Sequence, residues 1–407
     1  MVPKNGQISS STSLKWRVTD DGFLRARVAE SFSQTNWKAI CDYASRANGG
    51  QTCLALPQYT HGGSSLARLL EFQDGTRWIA RIQMLKPTTD ILQRLRTEID
   101  TIRLLKAHTK ALVPQVFAYE LDDQNLAMVP FVLLEFLPGN TAMDEARSYD
   151  IIDGGLIPVK FRQVFYRSMA ATHVQIASAR LPLIGTVFRD QDGTFTVGPI
   201  PGIGGPFRTA ASFIQAWCAN IKYPYREEYI RKHVPESLVD EILRGVAEFP
   251  SRLARLASSG KYFTLDGPFP IRHPDLFHSN VIVNNGFNVL GVIDWEGACA
   301  VPWELIDPPC FLSTVPRLLN PPEQYDTAGL PLEVDEAIKW ADEKAYAAMV
   351  RAAERDANAD SRLSDILSNR NTQDLAGIVH LFAQGKIGLY SRVLDYLENK
   401  ANNIMMP

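Results

Sequence analysis

The sequence predicts an α+β chain, with an antiparallel sheet and one long helix first and a larger, mainly helical part after them. Three observations carry this. β-compatible apolar runs joined by glycine turns occupy residues 53–83 and 115–136. Between them, Leu92, Leu95, Ile99, Ile102 and Leu105 fall close to helical spacing. Beyond Pro138-Gly139 the long periodic stretches, at 160–178, 238–258, 331–357 and 372–400, all read as helices.

Taken in order, residues 1–45 form a Ser/Thr-rich start and a helix over about 22–45. After Asn48-Gly49-Gly50 come strands at 53–59, 66–72 and 76–83, turned by His61-Gly62-Gly63-Ser64 and by Asp74-Gly75. The helix at 89–107 precedes a strand pair at 115–121 and 127–136. The Gly- and Pro-rich stretch 183–206 reads as a loop with a small hairpin around Asp192-Gly193. This divides the chain into a leader (1–48), a sheet lobe (49–137) and a helical lobe (138–407). No internal repeat or low-complexity tract interrupts it.

The segment richest in chemistry is 271–296, with two carboxylates and a carboxamide: Asp275, Asn280 and Asp294. Val281–Val283 and Val289–Ile293 are short β-branched runs, and Asn284-Asn285-Gly286 between them signals a hairpin folded back at Gly286. That fold brings Asn280 and Asp294 to one end of the hairpin, with Asp275 on the loop before it. Oxygen ligands beside an aspartate that can accept a proton suit magnesium-dependent phosphoryl transfer. Read singly, each is an ordinary turn or cap residue; the joint spacing makes the case. His273 and His278, on an irregular loop with no cysteine nearby, do not make a zinc site.

His-x-Asp-Leu-x-x-x-Asn, a hydrophobic hairpin and Asp-Trp-Glu together resemble the aminoglycoside phosphotransferase family of kinase-like small-molecule kinases. The wording around 181–206 and 271–305 is closest to members common in fungi. The resemblance covers about 50–315 and implies a protein-kinase-like two-lobe fold, since strand, glycine loop, two strands, helix and two strands is the order of a kinase N-lobe. It implies Asp275 as the catalytic base, Asn280 and Asp294 as Mg²⁺ ligands, and ATP (or GTP) as phosphoryl donor. His273 would brace the loop. The family usually has Gly at Pro274 and often His at Phe277; these departures bear on loop geometry, not on ligands or base.

The same resemblance points into the first lobe. Gly62, Gly63 and Ser64 would lie over the nucleotide phosphates, although Gly-Gly in a hairpin is also a plain turn and no Walker motif occurs. Arg81, the only cation well inside its strand, would touch the α/β-phosphates, held by Glu98 on the following helix. The plainer reading is a solvated Arg and a surface Glu. The carbonyl of Glu135 and the amide of Leu137 would meet the adenine at the interlobe hinge.

The acceptor expected is a hydroxyl on a small molecule. A protein kinase would carry a long activation segment and an Ala-Pro-Glu anchor after its metal aspartate, whereas Asp294 is followed at once by Trp295-Glu296-Gly297-Ala298. A nucleotide-binding scaffold is the alternative of another class, and the presence of Asp275 with Asn280 and Asp294 argues against it. Glu333, Asp335, Glu336, Asp342 and Glu343 on one helix could attract a cationic acceptor or simply form its wet face. Trp303, Glu304 and Asp307 are further candidates for the acceptor pocket.

Composition sets the outer bounds. A formal charge of −3 over 407 residues, without a Lys/Arg cluster, argues against a nucleic-acid partner. Five scattered cysteines, with no Cys-x-x-Cys, fit reduced thiols. No secretory signal or apolar run long enough for a bilayer is visible, so the expectation is a cytoplasmic protein without a membrane partner. A first 19 residues free of acid leaves a mitochondrial presequence as the minor alternative. Nothing in the sequence signals an oligomeric state.

Overall fold

The computed structural model describes residues 13–16, 21–149, 156–264 and 266–403. Contacts group them into two compact units, Met1–Ser168 with His278–Gly297, and Met169–Phe277 with Ala298–Pro407.

The first unit opens with helices α1 (Gly22–Gln34) and α2 (Trp37–Ala47), where the sequence reading has one helix. The break falls at Thr35-Asn36 because the Asn36 side chain accepts from the Ala39 amide, a cap that starts a new helix. Strands β1 (Cys53–His61), β2 (Ser65–Phe72), β3 (Arg77–Gln83), β4 (Val116–Glu120) and β5 (Phe131–Glu135) form an antiparallel sheet in the order β1-β2-β3-β5-β4. Two-residue alternation puts Leu66, Leu70, Trp78, Ala80, Ile82, Phe131 and Leu133 into a core with Ile40 and Ala44 of α2. The same alternation sends Ile79 and Arg81 to the opposite face. Helix α3 (Thr89–His108), capped by Thr88, buries Leu95, Glu98, Ile99, Ile102 and Leu105.

After β5, the short strand β6 (Asn140–Thr141) and helix α4 (Ala142–Ala146) complete this part of the unit. Helix α5 (Val159–Ser178) follows. The second unit holds strands β7 (Arg180–Leu181), β8 (Gly185–Arg189), β9 (Phe195–Gly198) and β10 (Phe269–Arg272), with helices α6 (Ala210–Asn220), α7 (Glu227–His233) and α8 (Glu236–Ser258) between β9 and β10. The chain then returns to the first unit for β11 (Val281–Val283) and β12 (Val289–Val292), which join β6 in a sheet of order β12-β11-β6. The hairpin is as expected, but its turn spans 284–288, and the left-handed position is Phe287 (φ 59°), not Gly286. The Phe287 ring is fully buried and stacked on Phe161 at 4.7 Å, which offsets the backbone cost.

Back in the second unit, β13 (Cys299–Ala300) sits between β10 and β8 in a sheet of order β7-β10-β13-β8-β9. Helices α9 (Val334–Asp356), α10 (Arg362–Ser368), α11 (Arg370–Ala383) and α12 (Tyr390–Asn403) close it. The helix expected over 372–400 is two, because Gly385 (φ 79°) ends α11 in a Schellman motif, with the Lys386 amide donating to Leu381 and the Gly385 amide to Phe382. The α+β class with an antiparallel N-terminal sheet and a mainly helical remainder is what the chain adopts. No helix among the described residues is long and apolar enough to cross a membrane.

Candidate active site

A cleft of about 410 Å³ opens in the first unit, between the sheet face that carries Arg81 and the β11–β12 hairpin. Its walls include Gly62 of the β1–β2 turn, Ser65 at the start of β2, Ile79 and Arg81, Glu98, residues 134–137 at the end of β5, and Asn280 and Asp294. Seven residues singled out from sequence, Gly62, Arg81, Glu98, Glu135, Leu137, Asn280 and Asp294, thus line one cavity. Ser64 lines a smaller recess beside Arg81, Glu98 and Asp294. Gly63 lines neither; its carbonyl accepts from Arg27.

The ionic centre is built from β3 and α3. Arg81 is largely buried, and its guanidinium is paired with the buried Glu98 carboxylate. Asp294 Oδ1 stands 3.9 Å from the same guanidinium. Burial works against the Arg81 charge, but Glu98, then Asp294 and Glu296, hold its pKa above the ordinary guanidinium value. The surface ion reading of this pair therefore fails. Glu98 does a second thing no spacing rule foretells: its Oε1 accepts from the Trp295 amide at 3.2 Å. The residue that holds Arg81 also fixes the backbone next to Asp294.

Asp294 has φ 64°, a conformation uncommon for a side-chain-bearing residue, and its carboxylate is 55% exposed. The Asn280 carbonyl accepts from the Ile293 amide, so the hairpin ladder sets Asn280 and Asp294 at one end. The site is rich in negative charge. Burial, then Glu98 and Asp294, push the Glu296 carboxyl up, and Arg94 lies 3.7 Å from it.

Two glycines show how the segment after β5 meets the β11–β12 hairpin. A Cβ on Gly139 would lie 2.2 Å from the Val283 carbonyl, and one on Gly291 2.5 Å from the Leu137 side chain. At Gly62 and Gly63 an added Cβ would meet nothing, so the protein's own packing does not require glycine there. Glu135 uses its side chain to accept from the Gln115 amide at 2.9 Å, and the Leu137 carbonyl accepts from Gly139.

Asp275 belongs to the second unit, where it is exposed on the turn after β10. Its amide donates to Nδ1 of the buried His273 at 3.1 Å, the loop-bracing contact the resemblance implies. In the same unit a pocket of about 1060 Å³ runs along α9, α11 and α12, with Tyr325, Trp340, Glu343, Arg370 and Asp374 on its walls. A smaller recess shares Glu343, Arg370 and Asp374 and adds Asp307 and His380. Of the acceptor candidates read from sequence, Glu343 and Asp307 reach these cavities. Trp303 is fully buried, and Glu304 is buried and accepts from the Thr264 amide, so both serve packing. Burial works against the Asp307 charge, but its two bonds to Arg272 hold it below the usual carboxylate range.

Residues 56–303 match the phosphotransferase enzyme family (APH). No curated protein matches the chain. Among solved structures, one of a Ralstonia eutropha JMP134 protein assigned as an aminoglycoside phosphotransferase is 14% identical, with 91% of this chain and 96% of that one covered and a TM-score of 0.47. The macrolide 2′-phosphotransferase MphH of Brachybacterium faecium is 13% identical over 91% of this chain and 97% of its own, with a TM-score of 0.41. A thermostable aminoglycoside phosphotransferase APH(4)-Ia, solved with ADP and hygromycin B, is 14% identical over 91% and 100%, with a TM-score of 0.40. These likenesses are distant, and the assignment rests on the family match over well more than half of the sequence. The chain belongs to the phosphotransferase enzyme family.

Proposed function

We propose that this kinase-like, small-molecule phosphotransferase moves the γ-phosphoryl group of ATP (or GTP) to a hydroxyl of its acceptor by direct in-line transfer. The observation that carries the reading is the convergence in one cleft of a buried, carboxylate-held arginine with the Asn280 and Asp294 oxygens, beneath a glycine turn and beside the hinge. Arg81 steadies the α/β-phosphates as a planar fork of donors, and Glu98 keeps that fork aimed. Glu135 and Leu137 offer backbone groups to the base. Asp275 accepts a hydrogen bond from the attacking hydroxyl and aligns it, taking its proton as the bond to phosphorus forms.

Asn280 and Asp294 suit a hard divalent cation such as Mg²⁺, for both offer oxygen and the Glu98 and Glu296 carboxylates stand close by. Such an ion, when bound, offsets charge on the phosphates. The acceptor is a small hydroxylated molecule, and the second unit, which carries Asp275, also holds a large pocket. Aromatic walls and several arginines there do not favour a polycation, and burial raises the Glu343 carboxyl. Sugars, amino alcohols and hydroxylated specialised metabolites fit that description better.

The test is full-length protein with Mg-ATP and a panel of hydroxylated metabolites, followed by mass spectrometry for an added phosphate. Transfer to at least one acceptor, absent in Asp275→Asn, is expected. Nucleotide binding without transfer to any acceptor, with other functions intact in Asp275→Asn, would favour a scaffold instead.

A further inference from the structure

The N-terminal segment 13–16 lies well before residue 56, where the family match begins, yet it forms part of the cleft wall. It is tied to β6 and α4 by two buried polar side chains. Asn140, 1% exposed, accepts from the Lys15 amide at 2.8 Å and donates to the Ser13 carbonyl at 3.2 Å. Glu145, 3% exposed, accepts from Asn140 at 3.0 Å and pairs with Lys15 Nζ at 2.8 Å. The segment thereby satisfies groups whose burial without partners is costly, so it is an integral strap of the first unit. The Lys15 charge is used in this anchor and is not available to phosphate.

The strap ends on Trp16, which is partly exposed and lines the cleft together with Leu137, Thr141, Met143 and Asp144. A large planar indole held on the wall of a nucleotide-sized cavity, next to the hinge, offers a face for stacking. We propose that Trp16 is a nucleotide-positioning residue, packing its ring on the base–ribose portion of the bound nucleotide, with Asn140 and Glu145 as the clamp that holds it there. This rests on the reading of the cleft as the nucleotide site.

ADP is the probe, with full-length wild type, Trp16→Ala, Trp16→Phe and Asp294→Ala. Base–aromatic stacking predicts that Trp16→Ala binds ADP about tenfold more weakly, that Trp16→Phe recovers most of the loss, and that turnover at saturating nucleotide changes little. ADP affinity unchanged in Trp16→Ala while Asp294→Ala loses Mg-ADP overturns the strap and leaves the phosphotransferase reading standing. A fall in melting temperature of Trp16→Ala with unchanged ADP affinity also overturns it, since the strap then serves stability alone. A wild-type protein that binds no nucleotide would remove both readings together.

Discussion

At the scale of single residues, the strongest physical statement concerns Arg81 and Glu98. Each is held by the other out of water, and Glu98 in addition satisfies the Trp295 amide. Removing one partner of such a pair leaves an uncompensated buried charge, which costs about 3–5 kcal/mol. Glu98→Ala should therefore lower the unfolding free energy in denaturant by about that amount; a loss well under ~1 kcal/mol would show that the pair is effectively solvated. The pairing itself was expected from the family resemblance, which calls for a strand cation held by a helix glutamate; strand and helix periodicity alone left a solvated Arg and a surface Glu equally open. What alternation cannot express is a positive φ at a residue other than glycine. Asp294 and Phe287 adopt it for reasons that lie in tertiary contacts, so the hairpin turn was read at Gly286 and is made at Phe287.

At the scale of elements, the segment after β5 and the β11–β12 hairpin meet through backbone contact, and glycines show which approaches the fold demands. Gly139→Ala forces a Cβ against the Val283 carbonyl. A destabilisation of about 1–3 kcal/mol is expected from such overpacking, readable as a lower melting temperature. Gly62→Ala meets open space, so its stability should stay within about 0.5 kcal/mol of wild type. Weaker ADP binding in that variant would then report the ligand's need for a close approach; unchanged affinity would make Gly62 a plain turn residue. In the second unit, Nδ1 of the buried His173 of α5 shares a hydrogen bond of 3.2 Å with the Tyr346 hydroxyl of α9, which burial keeps protonated. Burial pushes the His173 imidazole down to about 4. The unfolded chain, titrating near ~6.5, binds more protons between those values. The stability His173 contributes is thus present above pH ~6.5 and is lost as pH falls toward ~4, on the order of 3 kcal/mol in all. His173→Gln should flatten the pH dependence of unfolding in that window. Element boundaries were legible where periodicity is long, as in α3, α5 and α8. They failed where one polar cap or one αL glycine splits a continuous pattern, as at Asn36 and Gly385, and short helices such as α6, α7 and α10 left too little pattern to read.

At the scale of the whole molecule, an uneventful composition said little, and the ordered succession of strands, glycine turns and helices said most. The order gave the α+β class and, with the 271–296 segment, pointed to phosphotransferase chemistry, which the family match supports. The contact grouping depends on tertiary contacts that no local pattern carries: the β11–β12 hairpin pairs with β6 and groups with the N-terminal residues, so Asn280 and Asp294 fall in one unit and Asp275, five residues before Asn280, in the other. The strap at 13–16 was equally hidden, since its anchors, Asn140 and Glu145, lie more than a hundred residues away in sequence. This grouping frames the central claim, that the first unit holds the nucleotide while Asp275 serves the acceptor. The most direct test is the Mg-ADP dissociation constant measured side by side for wild type, Asp294→Ala and Asp275→Asn, with turnover recorded for each. The account predicts no turnover in either variant, markedly weaker Mg-ADP binding in Asp294→Ala, and near-wild-type affinity in Asp275→Asn. Equal loss of affinity in both variants would contradict it.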